Sequence, residues 1–198
     1  MQKTNPFLND LRRMISVDVE TAGPSPSGYA LLSIGACTLF EPRQTFYVEL
    51  KPVSLESTSR AMAVHKLDLE ELARKGKDPE EAMAAFEAWL DEMFPGDACP
   101  LFLGFNAPFD WMFVADYFHR FLGRNPFGHS AVDLKAFVMG LLRVPWEQTR
   151  MAALSDRPLR HNALEDALDQ ADLFLYILRG EGYILDNKTR MKGDSHGG

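Results

Sequence analysis

The sequence predicts an α/β fold built on a mixed five-stranded sheet flanked by helices, and three observations carry that expectation. Residues 13–52 hold three short apolar runs rich in β-branched residues, with brief connections. Residues 78–93 switch to a helical period behind a strong start signal. From residue 101 onward, two more short apolar runs alternate with helical stretches. Consecutive strands followed by alternating strands and helices point to an antiparallel meander extended by parallel strands.

Each element has its own signal. Residues 13–20, RMISVDVE, read as the first strand, closed by the turn-rich Gly23-Pro24-Ser25-Pro26-Ser27-Gly28. YALLSIGACTLF (29–40) and QTFYVELKP (44–52) follow as two strands joined near Glu41-Pro42, which completes a meander. Asp78-Pro79-Glu80-Glu81 supplies a capping acid, a proline for the first helical position and acids for the first turn. Ala82, Met83, Phe86, Trp89, Leu90 and Met93 then recur at helical spacing up to Pro95-Gly96. LFLGF (101–105) reads as a buried strand, 108–122 as a helix starting at Pro108, and 129–134 as a short last strand. A helix to about Arg143 and another from about Asn162 to Arg179, stopped by Gly180, complete the pattern.

Residues before Arg13 carry little signal, and the polar, Gly-containing tail from Asn187 is expected to be mobile. No repeat or linker divides residues 1–198, so one domain is expected, its folded part about 12–185. An apolar fraction of 46% and a charged fraction of 25% are ordinary for a globular protein. No apolar run reaches the roughly 18 residues of a membrane span, and none follows Arg12-Arg13 as in a signal peptide. A cytoplasmic location without membrane contact is therefore expected. Cys37 and Cys99, distant and set among apolar residues, are expected to be reduced and partly buried. The net charge of −7 excludes a broad basic face that coats long nucleic acid, but not a local grip on a few phosphates.

The chemistry-bearing residues are acids. Asp18 and Glu20 lie two apart on a strand, so both point to one face, where paired carboxylates are costly unless solvated or bound to cations. Asp110 enters a helix that is otherwise very apolar, four residues after Asn106. His161 and Asp166 span the start of the last helix. Singly, each has an ordinary reading as a solvated strand end, a helix cap or a surface acid run.

Together, ISVDVET, GFNAPFDWMF and HNALEDALDQADLF resemble the three motifs of the DEDDh 3′→5′ exonucleases. That group includes the DNA polymerase III proofreading subunit, ribonuclease T and oligoribonuclease, and the resemblance covers about residues 12–180. It implies a ribonuclease H-like fold and hydrolysis of the terminal phosphodiester of single-stranded DNA or RNA with a free 3′ end. It also implies two divalent cations, Mg²⁺ or Mn²⁺, about 4 Å apart. Hard cations of this kind prefer oxygen ligands. Asp18 would bridge both, Glu20 and Asp166 would share one, and Asp110 would support the other. His161 would be the general base, since imidazole exchanges protons near neutral pH.

The resemblance further places Thr21 and Ala22 beside the terminal nucleotide through their backbone, and Val64-His65 is similar to the family's substrate-contacting Val-His. Asn106 is a candidate for the same surface, with capping of its own helix as the competing and favoured role. Some relatives dimerise, so a homodimer is compatible with the resemblance. The pattern departs at Thr21-Ala22-Gly23, where many relatives have Thr-Thr-Gly, and at Phe105, where relatives often carry His. Neither removes an expected metal ligand.

Several alternatives stay open. Arg143, Arg150, Arg157 and Arg160 form either a solvated loop or a phosphate grip. Phe86, Trp89, Phe113 and Phe118 fit core-facing helix positions rather than base stacking. The chain could instead be a phosphoesterase for very short oligonucleotides, or a non-catalytic nucleic-acid-binding module on the same fold.

Overall fold

The computed structural model describes residues 6–96, 98–154 and 160–180. Its centre is a five-stranded sheet in the order β3-β2-β1-β4-β5. The strands are β1 (Met14–Thr21), β2 (Leu31–Thr38), β3 (Thr45–Glu49), β4 (Leu101–Gly104) and β5 (Ala131–Asp133). β1, β2 and β3 pair antiparallel, whereas β4 runs parallel to β1, and β5 parallel to β4. This is the mixed sheet expected from the sequence.

β1 sits in the middle and separates two environments. Ile15, Val17 and Val19 point into a core shared with α4 (Pro79–Met93) and α5 (Ala107–Leu122). That core is strongly aromatic: Phe86 stacks on Phe46 at 4.8 Å and on Phe118 at 5.6 Å between ring centroids. The aromatic residues expected in the core are therefore there. On the opposite face lies α8 (Ala163–Gly180), where the hydroxyl of the fully buried Ser16 donates to Ala167 O at 2.7 Å. α6 (Leu134–Leu142) and Phe174 of α8 close this second core together with Leu103 and Cys37.

Gly35, in the middle of β2, explains how close α8 comes. A Cβ built on Gly35 would collide with the backbone of Ala163 and Leu164, so only glycine lets the first turn of α8 lie directly on the strand. Gly35 is also the residue paired with Asp18 across the β1–β2 ladder.

Some elements depart from expectation. The weakly specified N-terminus forms α1 (Pro6–Arg13), which buries Leu11 in the second core. Two short helices, α2 (Ser59–Met62) and α3 (Leu69–Lys75), fill the stretch after β3, and the side chains of Thr58 and Asp68 cap them. A 3₁₀ turn (Trp146–Thr149) and α7 (Met151–Leu154) follow α6. Cys37 is buried, but Cys99 is exposed, because it lies in the irregular segment before β4 rather than in an element. The tail from Asn187 lies outside the described residues. Among those described, no helix is long and apolar enough to cross a membrane.

Candidate active site

The end of the central strand β1, the first turns of α5 and α8 and the segment leading into α8 bring the five expected residues together. Asp18 and Glu20 share the α8-facing side of β1, opposite Gly35 and Ser33 of β2. Asp166 stands in the first turn of α8. One carboxylate oxygen from each of Asp18, Glu20 and Asp166 lies within 4.8 Å of the others, a spacing at which they could hold a metal ion. Asp110, in the first turn of α5, comes from the other layer and is buried at 4% exposure. Its Oδ1 accepts the Val19 N–H at 3.1 Å, which fastens it to the strand between the two acids.

Asp166 and His161 are joined through the backbone. The carboxylate of Asp166 accepts the N–H of Arg160 and of His161, each at 3.0 Å. Asn162 caps α8 by accepting the N–H of Leu164 and Glu165. The five-residue spacing is thus a helix start folded back on itself. His161 adopts a left-handed φ of 55° and is exposed.

Gathering four acids has an electrostatic cost. Burial, followed by the charges of Asp110, Glu20 and Asp166, holds the Asp18 carboxyl well above the usual carboxylate range. Burial and Asp166 push Glu20 up to about 7. Burial pushes Asp110 up to about 8 despite the opposing hydrogen bonds from the Val19 and Asp110 N–H groups. Asp166 is also raised by burial, with the Arg160 and His161 N–H bonds working against it. Each group would release its proton readily if positive charge entered the site.

Beside Glu20 opens a cavity of about 530 Å³, lined by Val19, Thr21, Pro24, Arg60, Val64 and Phe109 among others. Thr21 lies on its wall, but Ala22 does not. Ala22 is fully buried; its N–H donates to Ala30 O and its carbonyl accepts the Thr58 N–H. Its N–H and its carbonyl are therefore both engaged within the protein. His65 reaches the same wall at 3% exposure. Its Nδ1 accepts the Leu67 N–H at 3.3 Å, so Nε2 carries the proton and donates to Thr21 O at 3.1 Å. The ring thus supports the Thr21 backbone from behind.

Asn106 does not cap α5 with its side chain, which corrects the role favoured from sequence. It is exposed, with a left-handed φ of 65°, and its side chain makes no capping bond. Asp133, at the end of β5, does that work: Oδ2 accepts the Ala107 N–H at 2.7 Å while Oδ1 accepts the Ala136 N–H and caps α6. Of the arginines, Arg143, Arg150 and Arg160 are exposed, and Arg160 leans to Glu165 at 3.5 Å and Asp169 at 3.8 Å. Arg157 lies outside the described residues.

Two residues that bind this site together were missed. Asp133 is one. The other is Gln170, four residues after Asp166, whose Nε2 donates to Asp18 Oδ1 at 2.7 Å. A helical spacing of four places it on the face of Asp166, and that was the available signal.

Comparison with known proteins agrees with this geometry. Residues 13–178 match the family described as the 3′-5′ exoribonuclease Rv2179c-like domain. The chain is 44% identical over 173 residues to the 3′-5′ DNA exonuclease Cap18 of Escherichia coli, covering 85% of this chain and 92% of that one. Its fold is similar to that of the nuclease domain of 3′hExo, a DEDDh family member solved bound to rAMP. There the TM-score is 0.68 at 12% identity, over 84% of this chain and 92% of that one. E. coli Exonuclease I in complex with a dT13 oligonucleotide gives 0.66 at 16% identity, over 83% of this chain and 40% of that one.

Proposed function

The chain belongs to the Rv2179c-like family of 3′-5′ exonucleases, and from that premise we propose that it hydrolyses the 3′-terminal phosphodiester of single-stranded nucleic acid. The observation that carries this reading is the convergence of Asp18, Glu20 and Asp166 within 4.8 Å, with Asp110 bound to the strand between them. The name of the family refers to RNA and that of the 44%-identical relative to DNA, so the reading covers both sugars. The greater weight goes to DNA, because that identity extends over most of both chains. The reading places the whole activity in one domain, as a monomer or a homodimer.

The donor set fits hard divalent cations. It is all oxygen, and its acids hold their protons above the usual range because negative charge is crowded where water is scarce. Asp18, Glu20 and Asp166 would hold one Mg²⁺ or Mn²⁺, and Asp18 with Asp110 a second. Bound there, the pair would neutralise the phosphate and stabilise the attacking and departing oxygens.

The chain's own residues then do the following. The cavity beside Glu20 receives the terminal nucleotide, with Thr21 on its wall and His65 holding the Thr21 carbonyl in place. Asn106, exposed at the mouth of α5, is free to face the strand. A ring nitrogen of His161 takes the proton of the attacking water and passes it to solvent, to which the ring is open. The Asp166 carboxylate holds the His161 backbone, so base and acid move together.

The test is a Mn²⁺-supplemented assay on labelled DNA and RNA, single-stranded and duplex, with free and blocked 3′ ends, alongside a dinucleotide. Stepwise loss from free 3′ ends by the wild type, absent in Asp18→Ala, is the expected result. Wild-type protein inert on every end-bearing substrate would sink the reading. Cleavage of the dinucleotide alone would move it to very short oligonucleotides.

A further inference from the structure

Gln170 is 2% exposed, in α8, one turn beyond Asp166. Both ends of its amide are engaged. The Phe105 N–H donates to Oε1 at 2.9 Å, and Nε2 donates to Asp18 Oδ1 at 2.7 Å. The Phe105 N–H fixes the orientation: it can only donate, so it must meet Oε1, which leaves Nε2 to face Asp18. The bond to Asp18 is short at 2.7 Å, and it becomes charge-assisted, the stronger class of hydrogen bond, when a cation in the site ionises the carboxyl.

The amide therefore touches two of the acid-bearing segments and is rooted in the third. Asp18 lies on β1, Phe105 immediately precedes the left-handed Asn106 that leads into the helix of Asp110, and Asp166 shares α8 with Gln170 itself. Building on the metal-site reading above, we propose that Gln170 is a positioning residue that holds the Asp18 carboxylate in one rotation toward the cation site and keeps the three segments in mutual register. It meets no substrate and exchanges no proton. Its function is to present Asp18 already oriented, so that a cation does not have to order the carboxylate as it binds. Hydrogen-bond partners that orient a metal ligand in this way are typically worth about 10–100-fold in metal affinity or activity.

Two substitutions in the full chain test this. Gln170→Glu keeps an acceptor for the Phe105 N–H and, assayed at alkaline pH where the added carboxyl is ionised, offers Asp18 no donor. Gln170→Met keeps the shape and removes both bonds. Mn²⁺ binding is measured by the loss of the free-ion paramagnetic resonance signal. The Mn²⁺ dependence of cleavage and the oligonucleotide KM are measured in parallel, with thermal melts confirming the fold.

Mn²⁺ affinity is expected to weaken about 10–100-fold in both variants. The oligonucleotide KM at saturating Mn²⁺ is expected to stay within about twofold of wild type. A general loosening of the fold would instead move melting temperature and KM together. If Gln170→Met fails to fold, Gln170→Glu decides alone. A folded variant that binds Mn²⁺ as well as wild type, or more tightly, overturns the role given to Gln170 while leaving the metal site standing. A wild type that neither binds Mn²⁺ nor trims 3′ ends overturns the metal-site reading and this role with it.

Discussion

The two faces of β1 solve opposite problems with the same backbone. The face of Ile15, Val17 and Val19 enters a core of stacked rings in which burial itself is the stabilising force. The face of Ser16, Asp18 and Glu20 meets α8, and there burial is a cost that specific partners must offset: Ala167 O for Ser16, and Gln170 for Asp18. An apolar face depends on volume and tolerates many near-equivalent fillings. An acidic face depends on a few named bonds. Stability and activity should therefore separate when each face is damaged.

The largest effect should come from Asp18→Ala. Losing a cation that supplies several kcal/mol to the transition state lowers kcat by about a thousandfold or more, at 1.36 kcal/mol per tenfold. The same variant, freed of a crowded acid, should melt no lower than wild type in EDTA at alkaline pH. A marked drop in melting temperature would blur the division between the faces. On the other face, Phe86→Ala is expected to cost about 3–5 kcal/mol of stability by denaturant titration, with kcat per folded molecule nearly unchanged. His161→Ala should lower kcat by about 10²–10⁴ while Mn²⁺ binding persists; loss of binding as well would make it a ligand rather than a base.

A pH effect sharpens the contrast. In the metal-free protein Glu20 stands at about 7 and Asp110 at about 8, against ordinary values of 4.5 and 3.8. The folded state then binds more protons than the unfolded one between those limits, so stability declines as pH rises through the window. Melting temperature in EDTA should fall between about pH 5 and about pH 9, and saturating Mg²⁺ should remove the fall. Glu20→Gln should flatten it in part. The smallest effect is expected from Asp133→Ala, which removes bonds at the starts of two helices and costs about 1–2 kcal/mol by calorimetry.

The same division decided what could be read from sequence. The meander, α4, α5 and α8 were legible because period and capping are local properties: Asp78-Pro79 names its helix start without help from the rest of the chain. The four acids and His161 were legible as a set, since their order and element contexts persist in one dimension. α1 was not, because its eight residues are too few to be helical alone and depend on Leu11 packing in the second core. The fates of Ala22, His65 and Asn106 were hidden for a related reason. Whether a backbone group or ring nitrogen is available depends on Ala30, Thr58 and Leu67, neighbours that only the fold supplies. Gln170 lay in view at helical spacing from Asp166, but its partner is 152 residues away.

Gly35 sets a dimension. At Gly35, the partner of Asp18, the first turn of α8 meets β2 backbone to backbone, so at that point the distance from strand to helix is set by peptide thickness. A gap filled by side chains would drift with every rotamer change and every exchange of one aliphatic residue for another. At Gly35 that freedom is absent. The aromatic core on the other side of β1 can be repacked over evolutionary time, whereas any side chain at Gly35 would force the strand and the Asp166 helix apart.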